Sequence, residues 1–259
     1  MSTQFTRAVL RQPSSNFADG VTTSTEGRPD VARALAQHAA YAQALRDIGL
    51  SISILPADEA YPDSTFVEDA AVITARGAVI TRPGADSRRG EIAAIGATLS
   101  AMYDSLHRIE APGTLDGGDI CETDSVVLIG VTARTNEEGA RQLSAILEGM
   151  GYASEIVDIR SIDSLLHLKT GISYLGDNRM AIAHDVPLLP AFERFELVRL
   201  APEEGYAANC IRVNDRVIIA CGYPKFAAEL ERLGYHTLAL EMSEFRKMDG
   251  GLSCLSLRF

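Results

Sequence analysis

The sequence predicts an α/β domain read as a ring of small repeated sheets around one pocket, and three observations carry that reading. Strand–turn–strand–helix–strand units of about 50 residues recur along the chain, and self-similarity at a fixed period marks solenoids and propellers. No low-complexity tract or linker divides the 259 residues. Apolar residues at 46 % and charged residues at 23 % match an ordinary globular protein and exclude a disordered chain or a disulfide scaffold. An ordinary mixed α/β sheet fits the same pattern equally well.

In chain order, Ala8-Val9-Leu10 reads as a strand, Val31 to Leu45 as an amphipathic helix and Ser51 to Leu55 as a second strand. Ala71 to Thr74 and Ala78 to Thr81 pair across a turn at Arg76-Gly77, followed by a helix from Arg88 to about Ser105 and a strand at Arg108-Ile109-Glu110. The order repeats with Asp119 to Glu122, Ser125 to Gly130, a helix from Asn136 to Met150 and a strand near Glu155 to Ile159. A fourth unit shows only Gly171 to Leu175 and Met180 to Ala183 around an Asp177-Asn178 turn. The fifth has Asn209 to Val213, Val217 to Cys221, a helix from Lys225 to Leu233 and a strand at Thr237 to Leu240.

Charge narrows the partners. Lys and Arg number 24 against 35 Asp and Glu, a net charge of −11 that disfavours nucleic acid and suits a cationic substrate. The longest apolar stretches, such as Val126 to Val131, are far short of the roughly 20 residues a membrane span needs. With no apolar segment at the N-terminus, a cytoplasmic protein is expected. Cys121, Cys210, Cys221 and Cys254 lack any C-x-x-C spacing, so free thiols are expected, with Cys210 and Cys221 as inert core.

Three segments combine reactive side chains with glycine or a break in an apolar run. Leu115-Asp116-Gly117-Gly118-Asp119 sets two carboxylates around a Gly pair, which lets another chain segment or a ligand approach closely. His167 interrupts the apolar run Leu165 to Leu168 at the expected edge of a strand. Asp249-Gly250-Gly251-Leu252-Ser253-Cys254 delivers a thiol on an expected strand that walls a cleft. Asp63 to Asp69 places acids at an apolar strand start, where alternation sends Glu68 and Asp69 to opposite faces. Arg88 and Arg134 stand at helix starts, where a helix favours anions, so they suit a carboxylate ligand.

Together with Thr81 to Arg89, Arg134-Thr135-Asn136 and Ala207-Ala208-Asn209-Cys210, these segments resemble the dimethylarginine dimethylaminohydrolase family from Phe5 to Phe259. These are guanidine-modifying enzymes with a five-bladed α/β-propeller (pentein) fold of pseudo-five-fold ββαβ repeats. The resemblance implies one catalytic domain over residues 1–259, with Cys254 as nucleophile, His167 as general acid and base, and Asp116 completing the triad. Glu68 and Asp69 match acids of the guanidinium pocket, and Asp63 a substrate-binding acid. Arg88 and Arg134 match a pair gripping the α-carboxylate, while Val21 and Met248 match positions that offer carbonyls to the α-ammonium. Deiminases of this fold usually carry an acid two residues after the histidine. Lys169 stands there instead.

The expected activity is hydrolysis of Nω-methylated arginines to citrulline and an alkylamine through a Cys254 thiouronium adduct, with no metal or cofactor. The alternatives are an arginine deiminase, a hydrolase of another small guanidine, or a silent pentein that binds a partner. A homodimer is compatible with the sequence.

Overall fold

In the computed structural model, which describes residues 4–103 and 105–259, five three-stranded sheets follow one another along the chain. The first holds β1 (Arg7–Arg11), α1 (Val31–Asp47) and β2 (Ser51–Leu55). The second holds β3 (Ala71–Thr74), β4 (Gly77–Ile80), α2 (Ile92–Ser100) and β5 (Leu106–Arg108). The third holds β6 (Ile120–Glu122), β7 (Val127–Val131), α3 (Glu137–Gly149) and β8 (Ser154–Asp158). The fourth is entered through α4 (Leu168–Gly171) and holds β9 (Ile172–Gly176), β10 (Arg179–Ile182) and β11 (Glu196–Arg199). The fifth holds β12 (Ile211–Val213), β13 (Arg216–Ala220), α5 (Pro224–Arg232) and β14 (His236–Leu240). After α6 (Ser243–Arg246), β15 (Leu257–Arg258) returns to pair antiparallel with β1 and so completes the first sheet. This is the five-bladed α/β propeller.

Every blade uses the same pairing. Its middle strand runs antiparallel to the inner strand and parallel to the outer one, as in β3–β4–β5 and β12–β13–β14. A parallel pair needs a crossover, and an amphipathic helix supplies it in four blades. In the fourth blade the crossover is irregular, with one 3-10 turn at Pro190–Phe192, and β11 escapes recognition because Glu196 and Arg199 flank only two apolar residues. The tight β9–β10 turn is made by Asp177 and Asn178 at φ +52° and +60°, as a two-residue hairpin requires.

The most consequential difference from expectation lies just before each inner strand. The chain enters all five blades through short helical turns: Val67–Ala70 before β3, Gly117–Asp119 before β6, α4 before β9, Pro202–Ala208 before β12 and Ser253–Leu255 before β15. These turns pack against one another around the ring centre. The segments at Glu68 and Cys254 are therefore not the strands that alternation suggested, and Glu68 and Asp69 are both buried. Alternation assumes an extended backbone, whereas these turns serve buried side-chain hydrogen bonds. Likewise, Arg88 ends a separate 3-10 turn before α2, and Arg134 lies two residues ahead of the cap of α3. Cys221 is partly exposed, unlike the buried Cys121 and Cys210. No helix among the described residues is long and apolar enough to cross a membrane.

The cap of α3 also binds the segment 112–114, which leads into Asp116. Asn136 Oδ1 accepts from the N–H groups of Gly139 (2.8 Å) and Thr114 (3.0 Å), while its Nδ2 donates to the Pro112 carbonyl. Asn136→Ala removes all three bonds and should lower the unfolding free energy by about 1–2 kcal/mol. The readout is a lower urea midpoint at unchanged slope, and an unmoved midpoint would refute this role.

Candidate active site

A cavity of about 510 Å³ opens at the ring centre, lined by Cys254, His167, Glu68, Lys169, Asn209 and the segment Thr23–Glu26, among others. Its walls come from the turns that enter the blades, so residues far apart in sequence converge without long loops. The segment Thr23–Glu26 is held by Asp249, whose carboxylate accepts from the Thr23 N–H (2.6 Å) and from the Thr22 and Thr23 hydroxyls.

His167 precedes α4, not a strand, and is 8 % exposed. Its Nε2 lies 3.1 Å from Asp116 Oδ2, and Asp116 Oδ1 accepts from the Gly84 N–H at 2.8 Å. The Gly pair read from sequence makes this approach possible. A Cβ on Gly118 would lie 2.9 Å from His167 Cγ and Nδ1, so only glycine lets the ring pack there. Burial alone would depress the imidazole pKa, but the charges of Asp69 and Asp119 and the bond to Asp116 outweigh it and raise it to about 9.

Cys254 is partly exposed on its turn, and its Sγ accepts weakly from the Gly251 N–H at 3.4 Å. Burial pushes the thiol up to about 12, and the charges of Glu68 and Asp69 reinforce this. Both acids are buried but differently held. Glu68 Oε1 accepts from Lys169 Nζ (2.6 Å) and Oε2 from Ser253 Oγ (2.7 Å). Asp69 Oδ1 accepts from the Gly118 N–H (2.9 Å), and its Oδ2 meets Arg88 at 2.6 Å. Although burial opposes ionisation, His167 and Arg88 hold the Asp69 carboxyl below its ordinary range.

The remaining candidates form an adjoining group. Asp63 Oδ2 accepts from the Val21 N–H (3.0 Å), while its buried Oδ1 has no partner. Gly20 joins them: a Cβ there would meet Asp63 Oδ1 at 2.1 Å and Met248 Cε at 3.1 Å. Burial raises the Asp63 pKa, and the charges of Arg88 and Arg134 act against that rise. Arg88 is itself buried and divided among Asp69, Glu91 and two carbonyls, with Glu91 Oε2 at 2.8 Å. Glu91 is a site-supporting residue that the sequence reading missed. Its i,i+3 spacing from Arg88 is the signal that could have found it.

One ligand atom from each of Asp69, Asp116 and His167 falls within 4.8 Å of the others. Such a trio could touch a cation, but Arg88 already occupies Asp69 and Asp116 shares the His167 nitrogen. The donors are committed to an acid–base network.

A thiol and a carboxylate-held imidazole on the central cavity of a five-bladed α/β propeller define the pentein enzyme class. A family model described as "N,N dimethylarginine dimethylhydrolase, eukaryotic" matches residues 14–197. The N(G),N(G)-dimethylarginine dimethylaminohydrolase of Pseudomonas aeruginosa is 47 % identical over 256 residues, covering 98 % of this chain and all of that one. A crystal structure of that enzyme, a cysteine-to-serine mutant complexed with citrulline, superposes with a TM-score of 0.96 at 46 % identity, covering 99 % of this chain and 100 % of the other. A histidine-to-glycine dimethylarginine dimethylaminohydrolase adduct with S-methyl-L-thiocitrulline gives 0.95 at 47 % identity, with the same coverage. The chain belongs to the dimethylarginine dimethylaminohydrolase family.

The raised His167 pKa has a stability consequence. Lying above the ordinary 6.5, it means that the protonated ring stabilises the fold fully below about pH 6.5, and that this contribution fades as pH rises through about 9. Asp116→Asn should bring the His167 ring titration, followed by NMR, down toward the ordinary value. An unchanged titration would show that Asp116 does not hold the imidazolium.

Proposed function

We propose that the chain hydrolyses Nω-methylated arginines to L-citrulline and dimethylamine or methylamine. The observation that carries this reading is the placement of buried Glu68 and Asp69 beside a thiol and an imidazole that sits on Asp116. A guanidinium stays cationic at any accessible pH and is a poor electrophile, so acids must fix its plane and expose its central carbon. In this reading the whole chain, residues 1–259, is one cytoplasmic catalytic domain acting on a small cationic amino acid.

Activation follows from the same charges. Glu68 and Asp69 raise the thiol pKa in the unliganded protein. A bound guanidinium sets its positive charge against theirs beside the sulfur, so substrate binding favours the Cys254 thiolate. The thiolate forms a C–S bond to the guanidinium carbon. His167, protonated at neutral pH, gives its proton to the leaving dimethylamine as the C–N bond breaks. With Nε2 on Asp116, Nδ1 is the nitrogen that exchanges protons. The neutral ring then takes a proton from water, whose oxygen attacks the thiouronium carbon. The C–S bond breaks as the remaining proton on the added oxygen passes to solvent, releasing citrulline and the thiolate.

At the amino-acid end, the unpartnered Asp63 Oδ1 suits the α-ammonium, with Val21 and Met248 beside it. Arg88 and Arg134 serve the α-carboxylate. Because Arg88 is shared with Asp69 and Glu91, Arg134 has the larger part.

Cys254→Ser should abolish citrulline formation while leaving the fold intact, and wild type quenched with substrate should carry an adduct on Cys254 by mass spectrometry. Full turnover in the variant would eliminate the covalent route. Assays of methylated and plain arginine side by side test the substrate class, and a preference for plain arginine would overturn it.

A second test concerns Arg134. Amidating the substrate's α-carboxyl should remove most of kcat/KM, because it leaves the arginine charge unanswered. Arg134→Ala should raise KM sharply for the free amino acid and change the amide little. Equal processing of acid and amide by wild type would remove Arg134 from the site.

A further inference from the structure

Four of the five turns that enter the blades carry, or are immediately preceded by, a residue with a role in the chemistry above: Glu68 and Asp69, Asp116, His167 and Cys254. The turn Pro202–Ala208 carries none, yet it ends at Asn209, which lines the same cavity and is 8 % exposed. Its side chain is fully used. Oδ1 accepts from the Ser253 N–H at 2.9 Å, and Nδ2 donates to the Lys169 carbonyl (2.9 Å) and to Ser253 Oγ (3.0 Å). A backbone N–H can only donate and a carbonyl only accept, so the amide orientation is fixed.

We propose that Asn209 is a positioning residue that clamps the Cys254 turn to the helix following His167 and thereby fixes the nucleophile against Glu68. The bonds form a closed circuit. Asn209 holds Ser253, the Ser253 hydroxyl donates to Glu68, Lys169 donates to the other Glu68 oxygen, and the Lys169 carbonyl returns to Asn209. Gly251 leaves the space this requires, since a Cβ there would stand 2.5 Å from Asn209 Oδ1. The inference rests on reading Cys254 as the nucleophile. It adds that the entrance to the fifth blade contributes geometry where the others contribute reacting groups. A small displacement of an attacking atom can slow a reaction by about 100-fold without weakening binding.

Asn209→Ala should reduce kcat by roughly 10- to 100-fold, with KM within about threefold of wild type. Calorimetric titration with L-citrulline counts folded, competent sites and should give unchanged stoichiometry and a Kd within about threefold. Asn209→Asp, the same size, keeps the acceptor for Ser253 but turns an oxygen toward the Lys169 carbonyl, and should lose kcat at least as severely. Wild-type kcat in either folded variant overturns the proposal. So does a loss confined to stoichiometry, or failure of both variants to fold, which would make Asn209 a folding residue only. Failure of citrulline to bind wild type would instead count against the reading of the site, because that control does not involve Asn209.

Discussion

Buried negative charge at the centre of the ring is the constraint on which the other features depend. Glu68, Asp69, Asp116 and Asp119 are all at most 4 % exposed, and isolated carboxylates cannot remain ionised in such surroundings. Each is answered by its own partners. Asp69 has Arg88 and a backbone N–H, Glu68 has Lys169 and Ser253, and Asp116 has Gly84 and His167. Asp119 accepts from the Thr132 and Thr135 hydroxyls and the Leu168 N–H, and burial still raises its pKa to about 6. These pairings set the backbone path as well as the charge, since N–H donors must point inward at Gly84, Gly118 and Leu168.

That requirement explains why short helical turns, and not strands, meet at the ring centre. An extended strand spends its N–H groups on its neighbours in the sheet, whereas the first N–H groups of a helical turn are free to serve a side chain or ligand. Repeating such a turn at the mouth of every blade gathers five sources of polar groups around one cavity. The strands behind them stay apolar and form the cores, as in the cluster of Leu128, Ile172, Leu175, Met180 and Ile182.

Much of the fold was legible because each blade writes its period into the sequence: Val31 starts α1, Asp177-Asn178 turns a hairpin, and Asn136 caps α3. The turns at Glu68 and Cys254 were not legible. Their backbone is chosen by partners distant in sequence, such as Ser253 for Glu68 across 185 positions. For the same reason the spacing of Arg88 suggested an arginine free for a ligand. Its actual surroundings depend on Asp69 and on Glu91, a carboxyl that burial lifts to about 7 despite the adjacent guanidinium. Local pattern thus gives the elements and the candidate residues, while the allocation of charge among them emerges only from the assembled ring.

The two arginines illustrate what that allocation decides. Removing Arg88 would strand two buried carboxylates, and breaking a buried pair by deleting one partner costs about 3–5 kcal/mol. Any share it has in recognition is therefore inseparable from the integrity of the site. Arg134 stands in a more open position, where its charge reaches Asp63 without being consumed by a close carboxylate among the described residues. A charge held in reserve can respond to a ligand, whereas one already neutralised can only hold its neighbours in place. On that distinction, stability and recognition are divided between two arginines that the sequence presents as a matched pair.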